Sequence, residues 1–380
     1  MIKWQCVFYI KRIYISFFCI VIYLISATAQ ERKAILPTSV RQGYLMKLWM
    51  SDNGEIGLDV QFGLPDEAVG CVYPSYSLAE HIYAGGLWVG ALIDTGKPGL
   101  QKTIKLVTTS DEADGRLYDD VPWETGVCDT AKPWYHTSIW EDSSAVSESD
   151  YYCCFTDTSQ LIHNFVHKPL GIKVFQRSYA WGNAVRSPVI IMEYEIINLG
   201  MRQMRDVYIG IHQGCAVGTT DYKRTREVTN ISGYIPELLT GYVDNSSEVG
   251  ATPIGFTILK LSKPLQEIKY FFRWQGLRKY WWLTWNDSTR YNRLCGLYPP
   301  GLPSIQPNQS VYEPIDGGEL LFSFGPINDW GAGETLKVAY AIVSGMSLKY
   351  TSDNLYNNAK LAQTLYARGY HPSVVLPVPK

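Results

Sequence analysis

The run from Gly171 to Cys215 constrains this chain more than any other stretch, because its side chains alternate with the period of a strand. In the segment Pro188–Asn198, Ile190, Met192, Tyr194 and Ile196 fall on one face. Val189, Ile191, Glu193, Glu195 and Ile197 fall on the other, since successive strand side chains point to opposite sides. Gly171–Trp181 and Val207–Gln213 read as strands too, and Asn198-Leu-Gly200 supplies turn chemistry between them. A continuous apolar face beside a mixed one belongs to a sheet with one side on a core and the other partly wet. The pattern predicts an all-β fold: an antiparallel β-sandwich, either one large sandwich or two packed sub-sandwiches.

Further strands are expected at Ile56–Phe62, His81–Asp94, Thr103–Thr109, Gly241–Asp244, Ile254–Lys260, Glu319–Gly325 and Thr335–Gly345. Gly85-Gly86 predicts a bulge or close backbone approach, with Trp88 packed over the glycines. Cys128–Asp157, rich in Ser, Asp and aromatics, reads as a long excursion. Near the end, Thr351-Ser-Asp offers N-cap residues. Leu355, Ala359, Ala362 and Tyr366 follow as an apolar stripe, and Gly369 suits the end of a helix. One short C-terminal α-helix docked on the sandwich is the expected result.

The first residues read as an export signal. Lys3, Lys11 and Arg12 precede the apolar run Ile13–Ile25, and Ala27-Thr28-Ala29 gives a small-x-small cleavage pattern. That run is short of the ~20 residues a spanning helix needs. We therefore divide the chain into a signal peptide (1–29), a β-sandwich region (30–350) and a C-terminal helix and tail (351–380). The expected location is extracellular, at the cell surface or periplasmic, with no transmembrane segment after cleavage. From Gln30 onward the chain carries 31 basic and 36 acidic residues, a net charge of −5. Without a basic run, nucleic acid is a poor partner. Six cysteines remain after the signal: Cys71, Cys128, Cys153, Cys154, Cys215 and Cys295. Their even number in an exported chain predicts at least one disulfide, with buried thiols as the alternative, and the sequence does not choose the pairing.

Candidate chemistry is sparse. Asp111 and Asp114, in an acid-rich stretch, are the candidate calcium ligands, although their spacing does not match an EF-hand and a solvated loop is the alternative. No other cofactor is implied. His163 and His167 are four apart, but Asn164 stands where a metalloprotease needs its glutamate. No known active-site signature is present; Glu193 and Glu195 share a strand face and are the only candidates for the acid pair of a glycan-cleaving enzyme, with solvated outer-face acids as the alternative. Phe271–Tyr298 holds nine large aromatics interleaved with five cationic side chains. Such rings stack on the C–H faces of sugars while arginine bonds hydroxyls, so Trp274, Tyr280, Trp281, Trp282 and Trp285 are the candidate ligand-binding residues. The alternative is that these rings fill a core.

Three stretches carry a family resemblance: Tyr83-Ala-Gly-Gly-Leu-Trp-Val-Gly-Ala91, Arg177–Trp181 with Glu193–Gly200, and Phe324-Gly-Pro326 with Gly333–Ala341 and the helix after it. Together they resemble a broad group of uncharacterised secreted β-rich proteins of Gram-negative bacteria, of the kind often exported by type IX secretion. The resemblance implies an extracellular β-sandwich and no particular activity. The chain departs from the group's pattern in two places: no sorting domain is read after the helix, and His212-Gln213 stands where an acid is expected. The expected function is a secreted or cell-surface binding or structural protein, with carbohydrate or cell-surface components as partners. The alternatives are a glycan-active hydrolase or lyase and a purely structural or adhesion subunit.

Overall fold

Two antiparallel sheets face each other across a shared apolar core. The computed structural model describes residues 39–57, 70–77, 80–95, 102–110, 125–128, 135–158, 168–218, 230–245, 250–276, 286–297, 312–315 and 318–370, all within the unit Pro37–Lys380. The expected signal peptide lies outside them. No helix among the described residues is long and apolar enough to cross a membrane.

Numbered in chain order, the first sheet runs β1 (Ser39–Gln42), β2 (Lys47–Ser51), β3 (Cys71–Val72), β4 (Glu80–Thr95), β11 (Met204–Gly218), β17 (Gly318–Ile327) and β15 (Lys269–Gly276). An eighth strand, β5 (Lys102–Thr109), pairs with β4. The second sheet begins with β16 (Tyr312–Ile315), β12 (Asn230–Ile235), β13 (Thr240–Asp244) and β14 (Ile254–Lys260). It continues with β18 (Thr335–Ser344), β10 (Val189–Asn198), β9 (Ile172–Ala180), β8 (Ser149–Thr156) and β6 (Gly126–Val127), and β7 (Tyr135–Thr137) pairs with β8. The helices are α1 (Asp287–Leu294) and α2 (Leu355–Ala367).

Alternation decides which side chains meet. Ile190, Met192, Tyr194 and Ile196 of β10 turn inward as expected and join Leu87, Val89, Ile209, Ile211, Phe322 and Phe324 of the opposite sheet in one buried cluster. Burying such side chains is worth about 1.5–3 kcal/mol each, so this inter-sheet layer dominates the stability of the sandwich.

The strands expected between Gly171 and Cys215 all form, but not as one meander. β9 and β10 make a hairpin in the second sheet, whereas β11 crosses to the first and lies between β4 and β17. The crossing is held at Asn198, whose side chain accepts from Gly200 N–H at 2.8 Å and donates to Trp330 C=O at 3.0 Å. Gly200 takes a positive φ of 73° there, a conformation that suits glycine.

Two other expectations change in detail. Within the stretch Cys128–Asp157, β7 and β8 are strands of the second sheet, and residues 129–134 lie outside the described ones. Ile56 forms an isolated bridge with Met50 rather than opening a strand, and residues 58–69 lie outside the described ones.

The C-terminal helix docks as its stripe predicts. Leu355, Ala359 and Ala362 are buried with Val189, Ile191, Ala341 and Val343 on the outer face of the second sheet, while Tyr366 is only partly covered. Its cap is Asn354 rather than Thr351, Ser352 or Asp353: the Asn354 side chain accepts from Asn357 N–H at 2.8 Å.

The sequence reading had no α1. This helix covers the outer face of the first sheet, where two glycines on neighbouring strands receive Leu294. A Cβ at Gly90 would stand 2.6 Å from Leu294 Cδ1, and one at Gly210 would stand 2.6 Å from Leu294 Cδ2. Trp88, Val107, Tyr208, Tyr291 and Leu321 close the apolar cluster around that socket.

Candidate functional site

The outer face of the second sheet, beyond the footprint of α2, brings together rings and charges. Strand register sets them in rows. Tyr135, Tyr152, Arg177 and Glu193 are successive partners across β7, β8, β9 and β10. The next row runs Cys154, Phe175, Glu195 and Lys337 across β8, β9, β10 and β18. All share one face because alternation puts their neighbours Cys153, Val174, Gln176, Tyr194 and Val338 underneath, where they are buried.

Tyr152 and Phe175 are half-buried, with ring planes within 15° of parallel and centroids 5.9 Å apart. Tyr135 is exposed beside Tyr152. Cations lie over both rings: the Arg177 guanidinium is 5.8 Å from the Tyr152 centroid and the Lys173 ammonium 5.1 Å from that of Phe175. These contacts are partly solvated, and long cationic side chains commonly cover apolar surface this way while their heads stay wet.

The two candidate catalytic acids share this face, but each is already engaged. Lys337 Nζ donates to Glu195 Oε1 at 3.0 Å and Arg177 Nη1 donates to the same oxygen at 3.4 Å. The Lys337 hydrogen bond and then the Arg177 charge hold the Glu195 carboxyl below its usual range, against some desolvation. A carboxyl so held is an anion at neutral pH, the opposite of what a general acid needs. Glu193 accepts from Tyr179 Oη at 3.0 Å and from Tyr370 Oη at 2.7 Å. Burial, then the Glu193 charge, pushes both phenols up. Glu193 thus anchors the end of the C-terminal segment, where Tyr366, Tyr370, Tyr179 and Trp181 pack ring to ring.

Of the expected ligand-binding residues, Tyr280, Trp281, Trp282 and Trp285 lie outside the described residues, as does the side chain of Trp274 on β15. Of the rings of the same segment whose side chains are described, Phe271 is partly covered and Phe272 and Tyr291 are buried. Phe272 is fully buried and stacks on Tyr234 at 4.6 Å, and Tyr291, on the inner side of α1, is buried against the first sheet. Asp111, Asp114, His163 and His167 also lie outside the described residues. Among the described residues, no group of three or more His, Cys, Asp or Glu is arranged to hold a metal ion. Cys71, Cys128, Cys153, Cys154, Cys215 and Cys295 are all described, and no disulfide joins them.

No family model matches the chain, and no curated protein does.

A second polar cluster lies under α1. Arg293 Nη2 donates to Glu319 Oε2 at 3.2 Å, and His212 Nε2 stands 3.7 Å from the same oxygen, all three side chains being buried. The guanidinium carbon is 5.2 Å from the Trp88 ring centroid, and the His212 ring lies 5.0 Å from Trp88. Trp88 therefore packs on His212 and Arg293, while Gly85 makes the predicted close approach, since its Cβ would meet His212 C=O at 2.8 Å. This cluster ties α1 to β4, β11 and β17.

The sequence reading missed Tyr135, Tyr152 and Phe175 as surface residues. Their signal is there: in Ile172–Ala180 the inward set is Ile172, Val174, Gln176, Ser178 and Ala180, and Phe175 falls in the outward set with Lys173, Arg177 and Tyr179.

Proposed function

We propose that this chain is an extracellular binding protein of the cell surface that takes carbohydrate on the outer face of its second sheet. The observation that carries the reading is the near-parallel pair Tyr152 and Phe175, half-exposed on strands that are themselves rigidly paired. The apolar C–H face of a pyranose suits such rings, and Arg177, Lys337 and Glu195 stand beside them with donors and an acceptor for its hydroxyls. Fixed strands hold these groups with little ordering to be lost on binding. Both acids of the expected catalytic pair are taken up by cations or phenols, which favours a binder over a hydrolase or lyase. The sequence resemblance and the export signal support a place outside the cell.

The test is a glycan array on the full chain, followed by titration of the best glycan into Tyr152→Ala and Phe175→Ala. Each substitution is expected to weaken binding about tenfold, ~1.4 kcal/mol. Because the rings are only half-buried, stability should fall by only about 1 kcal/mol. Unchanged affinity in both folded variants would contradict this reading and favour the structural or adhesion subunit.

A further inference from the structure

At the open edge of the second sheet, β6 pairs with β8 in the register Gly126↔Thr156 and Val127↔Phe155. The next pair in that register is Cys128 opposite Cys154, and Cys128 N–H donates to Cys154 C=O at 3.0 Å. Directly opposed antiparallel residues have Cα atoms about 4.5–5.5 Å apart, inside the span that a disulfide bridges. Their sulfurs are already 2.6 Å apart, against 3.6 Å for the contact of Cys295 Sγ with a carbonyl oxygen. The vicinal Cys153 is no competitor, because alternation turns it into the inter-sheet core.

We propose that Cys128 and Cys154 form a cross-strand disulfide that pins the edge of the second sheet. The proposal is independent of the carbohydrate reading and picks one pairing among six cysteines. The oxidant is an external disulfide, and the reaction is thiol–disulfide exchange. The Cys154 thiolate attacks one sulfur of that disulfide and expels the other as a thiolate, which takes up a proton. The Cys128 thiolate then attacks the Cys154 sulfur of the mixed disulfide and expels the second thiol. Two S–H bonds are lost here and one S–S bond forms, while the external disulfide gains two electrons and two protons. The hydrogen bond from Cys128 lowers the Cys154 thiol below its ordinary range, with Lys173 contributing, whereas burial raises that of Cys153. The thiolate, the attacking species, is therefore favoured at Cys154 over its neighbour.

The bond serves an edge in need of a tie. β6 is two residues long, and short edge strands are the first to open. A link there closes the chain over β7, which carries Tyr135.

The test equilibrates the full chain with graded mixtures of reduced and oxidised glutathione, quenches exchange with acid, alkylates it in denaturant, cleaves it at aromatic residues and weighs the fragments without reduction. The expected result is that fragments holding residues 128 and 154 stay joined until reductant is added. This should occur at ratios where Cys71, Cys215 and Cys295 are still fully alkylated. Cys128→Ser should abolish the joined species; if that variant does not fold, the wild-type linkage map decides. Full alkylation of Cys128 and Cys154 in pure oxidised glutathione, or loss of the joined species in Cys153→Ser with its survival in Cys154→Ser, overturns the proposal.

Discussion

Replacing Glu319 with glutamine is expected to destabilise the protein by roughly 3–5 kcal/mol, the usual cost of removing one partner from a buried ion pair. Glu319 and Arg293 are each 2% exposed, and His212 shares the same carboxylate oxygen. The amide keeps the volume and loses the charge, so the Arg293 guanidinium is left buried without its carboxylate. A well-packed apolar pair is often as stable as a buried ion pair. The double variant R293M/E319L should therefore recover most of the loss. Urea unfolding of the wild type, R293M, E319L and R293M/E319L closes the cycle, with Glu319→Gln measured beside them. A Glu319→Gln loss below about 1 kcal/mol would mean that water already reaches the cluster.

A loss of similar size, on the order of 4 kcal/mol, is expected for Asp157→Ala, since several buried donors lose their acceptor together. The Asp157 side chain is 1% exposed. It accepts from Leu170 N–H at 2.6 Å, Gly171 N–H at 3.2 Å and Ile172 N–H at 2.9 Å. It also accepts from Thr108 Oγ1 at 2.9 Å, and Thr108 belongs to β5 of the opposite sheet. One carboxylate thus satisfies the backbone that enters β9 and clamps the two sheets together. Asp157→Asn retains one accepting oxygen but presents an NH2 to the remaining donors, so it should recover only part of the loss. Thermal or chemical denaturation of the two variants measures this, and near-wild-type stability in Asp157→Ala would remove the clamp from the account.

How much of this was legible in the sequence follows from what each device depends on. The strands β4, β5, β9, β10, β17 and β18 were readable because a half-buried strand writes its burial into a two-residue period. The helix α2 was readable because its stripe and terminal Gly369 are local. The crossing of β11 to the opposite sheet was not readable, since a turn at Asn198–Gly200 serves a hairpin and a crossover alike and Trp330 decides between them from far along the chain. α1 was hidden because Arg290 and Arg293 look like solvent residues. Both are buried, Arg293 against Glu319 and Trp88. Glu193 and Glu195 share the expected outer face. The sequence places both outward and says nothing of Tyr370 or Lys337, which claim them. The rings of Tyr152 and Phe175 meet only through the register of β8 on β9, a long-range fact.

The central claim is that saccharide binds across β8, β9 and β10, and hydrogen–deuterium exchange on the full chain tests it most directly. Exchange is followed with and without a saturating amount of the polysaccharide that the array returns. The account predicts slowed exchange in Ser149–Thr156 and Ile172–Ala180, the strands that carry Tyr152, Phe175 and Arg177. Protection confined to the aromatic segment around Trp281, Trp282 and Trp285, with β8 and β9 unchanged, would contradict it.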